Sequence, residues 1–258
     1  RINERWLIES GLRYDHTLMD VYKFYRTSFW ESRNYDQLFS ELVIREVNAQ
    51  TLINTEINFN NISGTIGFKN NSAKYTSFFN YSIASRAPNP SELFSEGLHH
   101  SSARIELGDL SFKSEIGHKF SYTLQRNEEK FTISINPYYN IVKDFLVLEP
   151  TSVQTSIRGS YQVWEYRQTN ANLFGLDIDA TIALSKKLSF NHKSSIVKGY
   201  DRILKIPLIN MPPVNTQNEI IYENKNFKNL KIEFTSNYVF QQNEYPDNNF
   251  EVFIATSQ

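Results

Sequence analysis

Cysteine is missing from all 258 residues, which excludes disulfides and thiolate metal sites and suits an oxidising compartment without requiring one. An excess of charge of either sign is missing too. The 27 Lys and Arg against 28 Asp and Glu leave a formal net charge of −1, and no basic cluster is dense enough to hold a phosphate backbone, so no nucleic acid is expected as a partner. No apolar run approaches the length of a spanning helix. Gly-x-Ser-x-Gly, His-Glu-x-x-His and a phosphate-binding glycine loop are all absent, so nothing in the motifs points to an enzyme or to a bound cofactor. The chain opens at Arg1 with neither Met nor a signal peptide, and the reading is of a piece truncated at both ends.

What is present is aromatic and alternating. Aromatics make up 14% of the chain, with 15 Tyr and 19 Phe, yet the mean hydropathy is −0.47. Strands reconcile the two, because half of each strand faces lipid or core while the other half faces water. Tyr75, Ser77, Phe79, Tyr81 and Ile83 share one face against Thr76, Phe78, Asn80, Ser82 and Arg86, a period of two with one mostly apolar side. After a long polar loop, Ile116, Phe120, Tyr122 and Leu124 oppose Glu115, Lys119, Ser121, Thr123 and Gln125. Next, Phe131, Ile133, Ile135, Tyr139 and Ile141 oppose Thr132, Ser134, Asn136 and Tyr138, and Pro137 predicts a bulge or one lost ladder bond. The same alternation marks residues 6–15, 62–68, 174–184, 188–196, 216–222 and 230–240, and residues 250–254 begin another strand. The stretch 16–55 reads as polar and irregular, and 144–161 and 200–214 read as further long segments between strands.

Connections alternate as well: short near Asn70, Asn127, Lys186 and Asn226, long near Gly97, Thr155 and Met211. A soluble sandwich has no such side-to-side asymmetry, and its strands average about five or six residues. A transmembrane barrel needs about 9 to 11 residues per strand, with short turns at one end and long loops at the other. The expected fold is therefore all-β: part of an antiparallel transmembrane β-barrel, with about ten strands in an open curved sheet.

Particular residues then carry a resemblance. Ser85-Arg86-Ala87-Pro88, Ser91-Glu92-Leu93-Phe94, Glu96-Gly97-Leu98-His99, Glu106-Leu107-Gly108-Asp109 and Lys113-Ser114-Glu115 together resemble the mid-barrel signature of TonB-dependent outer-membrane receptors. Tyr139-Asn140-Ile141 with Asp144-Phe145 is similar to that family's exit into an extracellular loop. The run from Tyr166 to Asp177 is similar to its return, with Asp177 where the family usually has Glu. Pro207-Leu208 and Met211-Pro212-Pro213 resemble its approach to the next hairpin. Gly97-Leu98-His99 is closer to the haem- and metal-uptake branch than to the sugar-uptake branch. No plug domain, TonB-binding box or terminal aromatic strand can be assigned to any residue here.

The resemblance implies a bacterial outer-membrane receptor that binds a scarce metal ion, haem or siderophore complex in its loops. Its partners would be outer-membrane lipid, a plug domain in cis and the TonB complex, and it would make and break no covalent bond. Ligand candidates are His99 and His100 with Glu96 and Glu106, offering imidazole and carboxylate to a metal or haem iron, His99 foremost. Solvated loop residues are the plainer alternative. Arg86, Asp177 and Asp179 are expected in the lumen or against the plug, although Asp177 with Asp179 could also be read as paired catalytic carboxylates. His118 and His192 fall on the outward face. The outward Tyr and Trp residues read as interfacial girdles, or else as a sugar-stacking surface. Two other classes stay open: a soluble carbohydrate-binding β-sandwich, if the outward faces pack on a second sheet, and an outer-membrane barrel enzyme, if a Ser/His/Asp or Ser/His/Asn set converges in the lumen.

Overall fold

The computed structural model describes residue 3, residues 5–156 and residues 159–246; the strand expected at residues 250–254 lies outside them. The first strand, β1 (Trp6–Arg26), leads into two short helices, α1 (Thr27–Ser32) and α2 (Tyr35–Leu38), and a 3-10 turn at Ser40–Leu42. Then come β2 (Val43–Val47), β3 (Gln50–Asn71), β4 (Tyr75–Arg86), α3 (Pro90–Phe94), β5 (Glu96–His99) and β6 (Arg104–Leu107). The remainder is strand: β7 (Glu115–Glu128), β8 (Phe131–Ser156), β9 (Gly159–Ala183), β10 (Leu188–Asp201), β11 (Ile206–Pro207), β12 (Asn215–Asn224) and β13 (Leu230–Val239).

These strands make one sheet of 13 strands. Its continuous path is β1-β3-β4-β7-β8-β9-β10-β12-β13, nine strands with every neighbour antiparallel, and β1 and β13 stand at its two edges. Directly opposed residues share a face, so the register tests the expected alternation. Phe79 faces Tyr122, Tyr81 faces Phe120 and Ile135 faces Ile178 on an apolar side. Asn80 faces Ser121 and Ser134 faces Asp179 on the polar side. Pro137 pairs with Leu176 of β9, while the β7–β8 ladder lapses between Ser121 and Leu124 and resumes in the same register. That is the lost ladder bonding a residue without N–H imposes.

Two stretches expected to lie between strands are largely strand. Residues 16–55 continue β1 and β3 as a hairpin, its 21 residue pairs running from Trp6↔Asn70 to Arg26↔Gln50, with the short helices inserted beyond its tip. Residues 144–161 are mostly the extension of β8 and β9, strands of 26 and 25 residues. Both faces of these extensions carry apolar residues, so no alternation marks them: Leu18, Tyr22 and Phe24 share one side of β1, and Met19, Val21 and Tyr25 the other. The second set packs inward, with Ile53, Ile57 and Phe59 of β3, onto the largest apolar cluster of the molecule. Strands of this length outrun a bilayer crossing of about 11 residues by roughly 33–50 Å of extended chain.

Candidate functional site

The long connections do not wave free of the sheet; they condense at its far end, away from the short turns. Helix α1 buries Phe29 and Trp30, and α2 buries Tyr35. These rings pack on Tyr25 of β1, with Tyr25 stacked on Phe29 at 5.9 Å and Trp30 edge-on to Tyr35 at 5.1 Å. Helix α3 starts where Asn89 caps it: the Asn89 side chain accepts from the Glu92 N–H, the Glu92 carboxylate accepts from the Asn89 N–H, and Pro90 occupies the first helical turn. It delivers Leu93 and Phe94 to the same cluster, which also takes Leu110, Phe112 and Leu146.

Polar contacts fix how these pieces meet. The Asp109 N–H donates to the Glu92 carbonyl, and a Cβ on Gly108 would lie 2.5 Å from that same oxygen, so only glycine lets the chain pass so close to α3. The Tyr35 hydroxyl donates to Asp109 Oδ1 at 2.9 Å and accepts the Leu110 N–H at 3.1 Å. Burial pushes the Tyr35 phenol up, and the adjoining Asp109 charge pushes it the same way. The Gly108-Asp109 pair of the sequence signature is thus a docking element for two helices.

Arginine–carboxylate pairs tie the assembly across the sheet. Arg86, at the end of β4, reaches Glu115 at 2.6 Å and Glu92 at 2.9 Å. Burial opposes its charge, but the two carboxylates outweigh it and hold its pKa above the ordinary guanidinium value. Arg26 bonds Glu96 at 2.6 Å, Arg33 bonds Glu165 at 2.8 Å, and Arg167 bonds Glu149 at 2.8 Å and Asp201 at 2.7 Å. Beside Arg86, Arg13, Asp15, Asn61 and Pro88 border a cavity of about 450 Å³ on the polar side of β1 and β3.

The hairpin β5–β6 carries the histidine candidates. Its register places Gly97 opposite Glu106 and His99 opposite Arg104 on one face, with Glu96 and Leu107 on the other. Glu106 is held by Arg104 at 2.7 Å, and Arg104 lies 4.6 Å from the centre of the Trp164 ring. His99 Nδ1 is within hydrogen-bond distance of the Ser101 and Ser102 hydroxyls, and His99 and His100 are both exposed. The four candidates share one hairpin, but two are engaged by arginines, and among the described residues no three His, Asp or Glu side chains converge into a metal-holding group. Strand β6 adds to β9 in parallel, Arg104↔Gln162 through Leu107↔Glu165, so the connection between β4 and β7 crosses the ends of β7 and β8 to reach it.

Asp177 and Asp179 lie on the polar face, Asp177 accepting from the Ser195 hydroxyl at 2.7 Å and Asp179 lying 3.8 Å from Lys193. His118 and His192 lie on the apolar face, His118 with its Nδ1 2.8 Å from the Tyr81 hydroxyl. Sequence reasoning passed over Arg26, Arg33, Arg104, Arg167, Trp164 and Asp201; apart from the Arg104–Glu106 pair, the contacts that engage them join residues remote in the chain. Tyr25, Trp30 and Tyr35 carried a usable signal, since aromatics crowd residues 22–39 too densely for a solvated loop. All described strands belong to a single sheet, which removes the reading as a sandwich of two.

Solved structures share this architecture. The chain superposes on the copper transporter OprC at a TM-score of 0.72 with 18% identity, covering 95% of this chain and 34% of that one. For the Serratia marcescens hemophore receptor HasR, a double mutant solved with its hemophore HasA and heme, the values are 0.61 and 12%, covering 91% and 41%. For the ferric yersiniabactin uptake receptor FyuA from Yersinia pestis they are 0.57 and 8%, covering 88% and 30%. The chain therefore spans roughly a third of the length of these proteins, and at such identities the likeness establishes the fold. No curated protein matches it in sequence. Residues 1–256 match the model of the family described as TonB dependent receptor-like, beta-barrel, and the chain belongs to that family.

Proposed function

We propose that this chain forms part of the wall, and several extracellular loops, of a bacterial outer-membrane receptor that captures a scarce metal ion, haem or siderophore complex and admits it with energy from TonB acting on a plug domain in cis. The observation that carries the reading is the union of family membership over residues 1–256 with strands that outrun the bilayer and gather their loops at one end. On this reading the apolar face meets lipid and the polar face, with Arg86, Asp177 and Asp179, meets the lumen or the plug. The named cargo of relatives, copper for OprC and heme for the HasR complex, supports a metal or haem class of ligand.

The exposed tip of the β5–β6 hairpin is the first capture candidate, with His99 foremost and His100 next to it, and with Glu96 and Glu106, their side chains buried and held by Arg26 and Arg104, as the further carboxylate candidates of the same hairpin. An exposed imidazole whose hydrogen-bond partners among the described residues are two serines can exchange them for a metal. In the complete receptor, His99→Ala is expected to weaken binding of zinc or haem at least tenfold while leaving barrel assembly intact, as titration calorimetry on the purified protein would show. Unchanged affinity for both would remove His99 from capture. Loss of uptake when TonB is deleted tests the energy source.

A further inference from the structure

The apolar face carries three hydrogen-bonded side chains to which the proposed capture site assigns no part. His192 and Ser194 lie two residues apart on β10, hence on one face, and the register sets Asn218 of β12 opposite His192 and Thr216 opposite Ser194. Ser194 Oγ lies 2.5 Å from His192 Nε2, and His192 Nδ1 lies 2.7 Å from Asn218 Oδ1. An amide oxygen only accepts, so the network places the imidazole proton on Nδ1 and leaves Nε2 to receive the Ser194 proton. Nucleophile, base and orienting group thus stand in the order of a hydrolytic triad, with an amide in the third place. The enzyme reading of the sequence required such a set in the lumen; it stands on the opposite face.

The surroundings name the substrate. Around the triad the same face carries Ala180 and Ile178 of β9, Phe190 and Ile196 of β10, and Ile220 of β12, an apolar bed along which an acyl chain can lie. The row Ser194–Thr216–Tyr238 is one residue inside the end of the β12–β13 ladder, which closes at Asn215 and Val239. Tyr238 is exposed and packs edge-on with Phe240, and exposed aromatics at a strand end mark the headgroup level of a bilayer, where the ester carbonyls of lipids lie. A polar cluster in a lipid-facing wall is costly unless it is used.

We propose that Ser194, His192 and Asn218 form a second site, hydrolysing the acyl ester of a membrane lipid; the proposal rests on the outer-membrane reading for the contact of this face with lipid. Ser194 Oγ attacks the ester carbonyl carbon as His192 Nε2 takes its proton, and the Thr216 hydroxyl, across from Ser194 on the same face, is the donor available to the oxyanion. The tetrahedral species breaks its bond to the glycerol oxygen, which leaves with the proton from His192 as a lysolipid alcohol. Water, deprotonated by His192, then attacks the acyl-serine; Ser194 departs, regains its proton from His192, and the fatty acid is released. Asn218 acts as a positioning residue, holding the imidazole through Nδ1.

The test uses the complete receptor, purified and shown to be a folded barrel by heat-modifiable migration. It is incubated with phosphatidylethanolamine vesicles, with p-nitrophenyl palmitate micelles, and with a fluorophosphonate that traps nucleophilic serines. The expected result is fatty-acid release and a label on Ser194 by peptide mass, both reduced about 10³-fold or to background in Ser194→Ala and His192→Leu. Ser195→Ala, on the other face, leaves both unchanged. Asn218→Leu lowers hydrolysis and shifts its pH profile, and Asn218→Asp restores it. A folded receptor with neither label nor release above Ser194→Ala overturns the site. Labelling with cleavage of the micellar ester alone overturns the lipid substrate. Absence of the receptor from the outer-membrane fraction overturns the transport reading, and the serine label still decides the triad.

Discussion

The Asp201 carboxylate gathers the crossing from β10 to β11. Its side chain is 1% exposed, and it accepts from the Arg167 guanidinium, the Thr169 hydroxyl and the N–H groups of Ile203 and Leu204. Burial opposes its charge, yet the Leu204 N–H, Arg167, Thr169 and the Ile203 N–H together keep its pKa below the usual carboxylate range. The folded state therefore binds fewer protons here than the unfolded chain. The stabilisation is complete above the ordinary aspartate pKa and is lost as pH falls through the lowered one. Hydrogen exchange of residues 202–206, taken as a ratio to the unstructured-chain rate at each pH, is expected to stay slow from pH 7 until the ordinary aspartate range is passed and then to accelerate in that ratio. Asp201→Asn should accelerate it already at pH 7, and removing one partner of so buried a pair costs about 3 kcal/mol locally. None of this was legible in the sequence, because Arg167 and Thr169 lie 34 and 32 residues away, and a carboxylate shows its partners only after the strands are paired. Arg86 was visible only as a parity and a signature, not as the clamp between Glu92 and Glu115.

Elements were legible where one face met water and the other did not. β4, β7, the first half of β8 and the second half of β9 alternate cleanly, and their faces, their short turns and the effect of Pro137 follow from period two alone. The far ends of β1, β3, β8 and β9 escaped because apolar residues occupy both sides there, one side roofed by the packed loops, and alternation carries no information when both faces are apolar. The clean half makes a direct test of register. Ile133 lies on the apolar face and Ser134, opposite Asp179, on the polar one. Arginine on a lipid face costs up to about 2 to 4 kcal/mol, depending on depth, so Ile133→Arg in the complete receptor should reduce the heat-modifiable, folded fraction far more than Ser134→Arg. Equal tolerance would reject the assignment of faces.

At the scale of the molecule, the two edges decide what this chain can do alone. β1 and β13 each present a row of backbone groups without a neighbour among the described strands, and such rows are not tolerated in hydrocarbon. The isolated 258-residue chain is expected to show no heat-modifiable band after refolding into vesicles, and a closed, heat-modifiable species would count against the open sheet. Its curvature has a different source. The connection between β4 and β7 is covalently anchored at one point of the wall and hydrogen-bonded through β6 to another, at β9, and Arg33 joins the tip of the β1 hairpin to that same strand. Each is a chord drawn across an arc. An arc of given length with its chord fixed has only one radius, so the loops that gather over the mouth also set how tightly the wall bends before any further strand arrives.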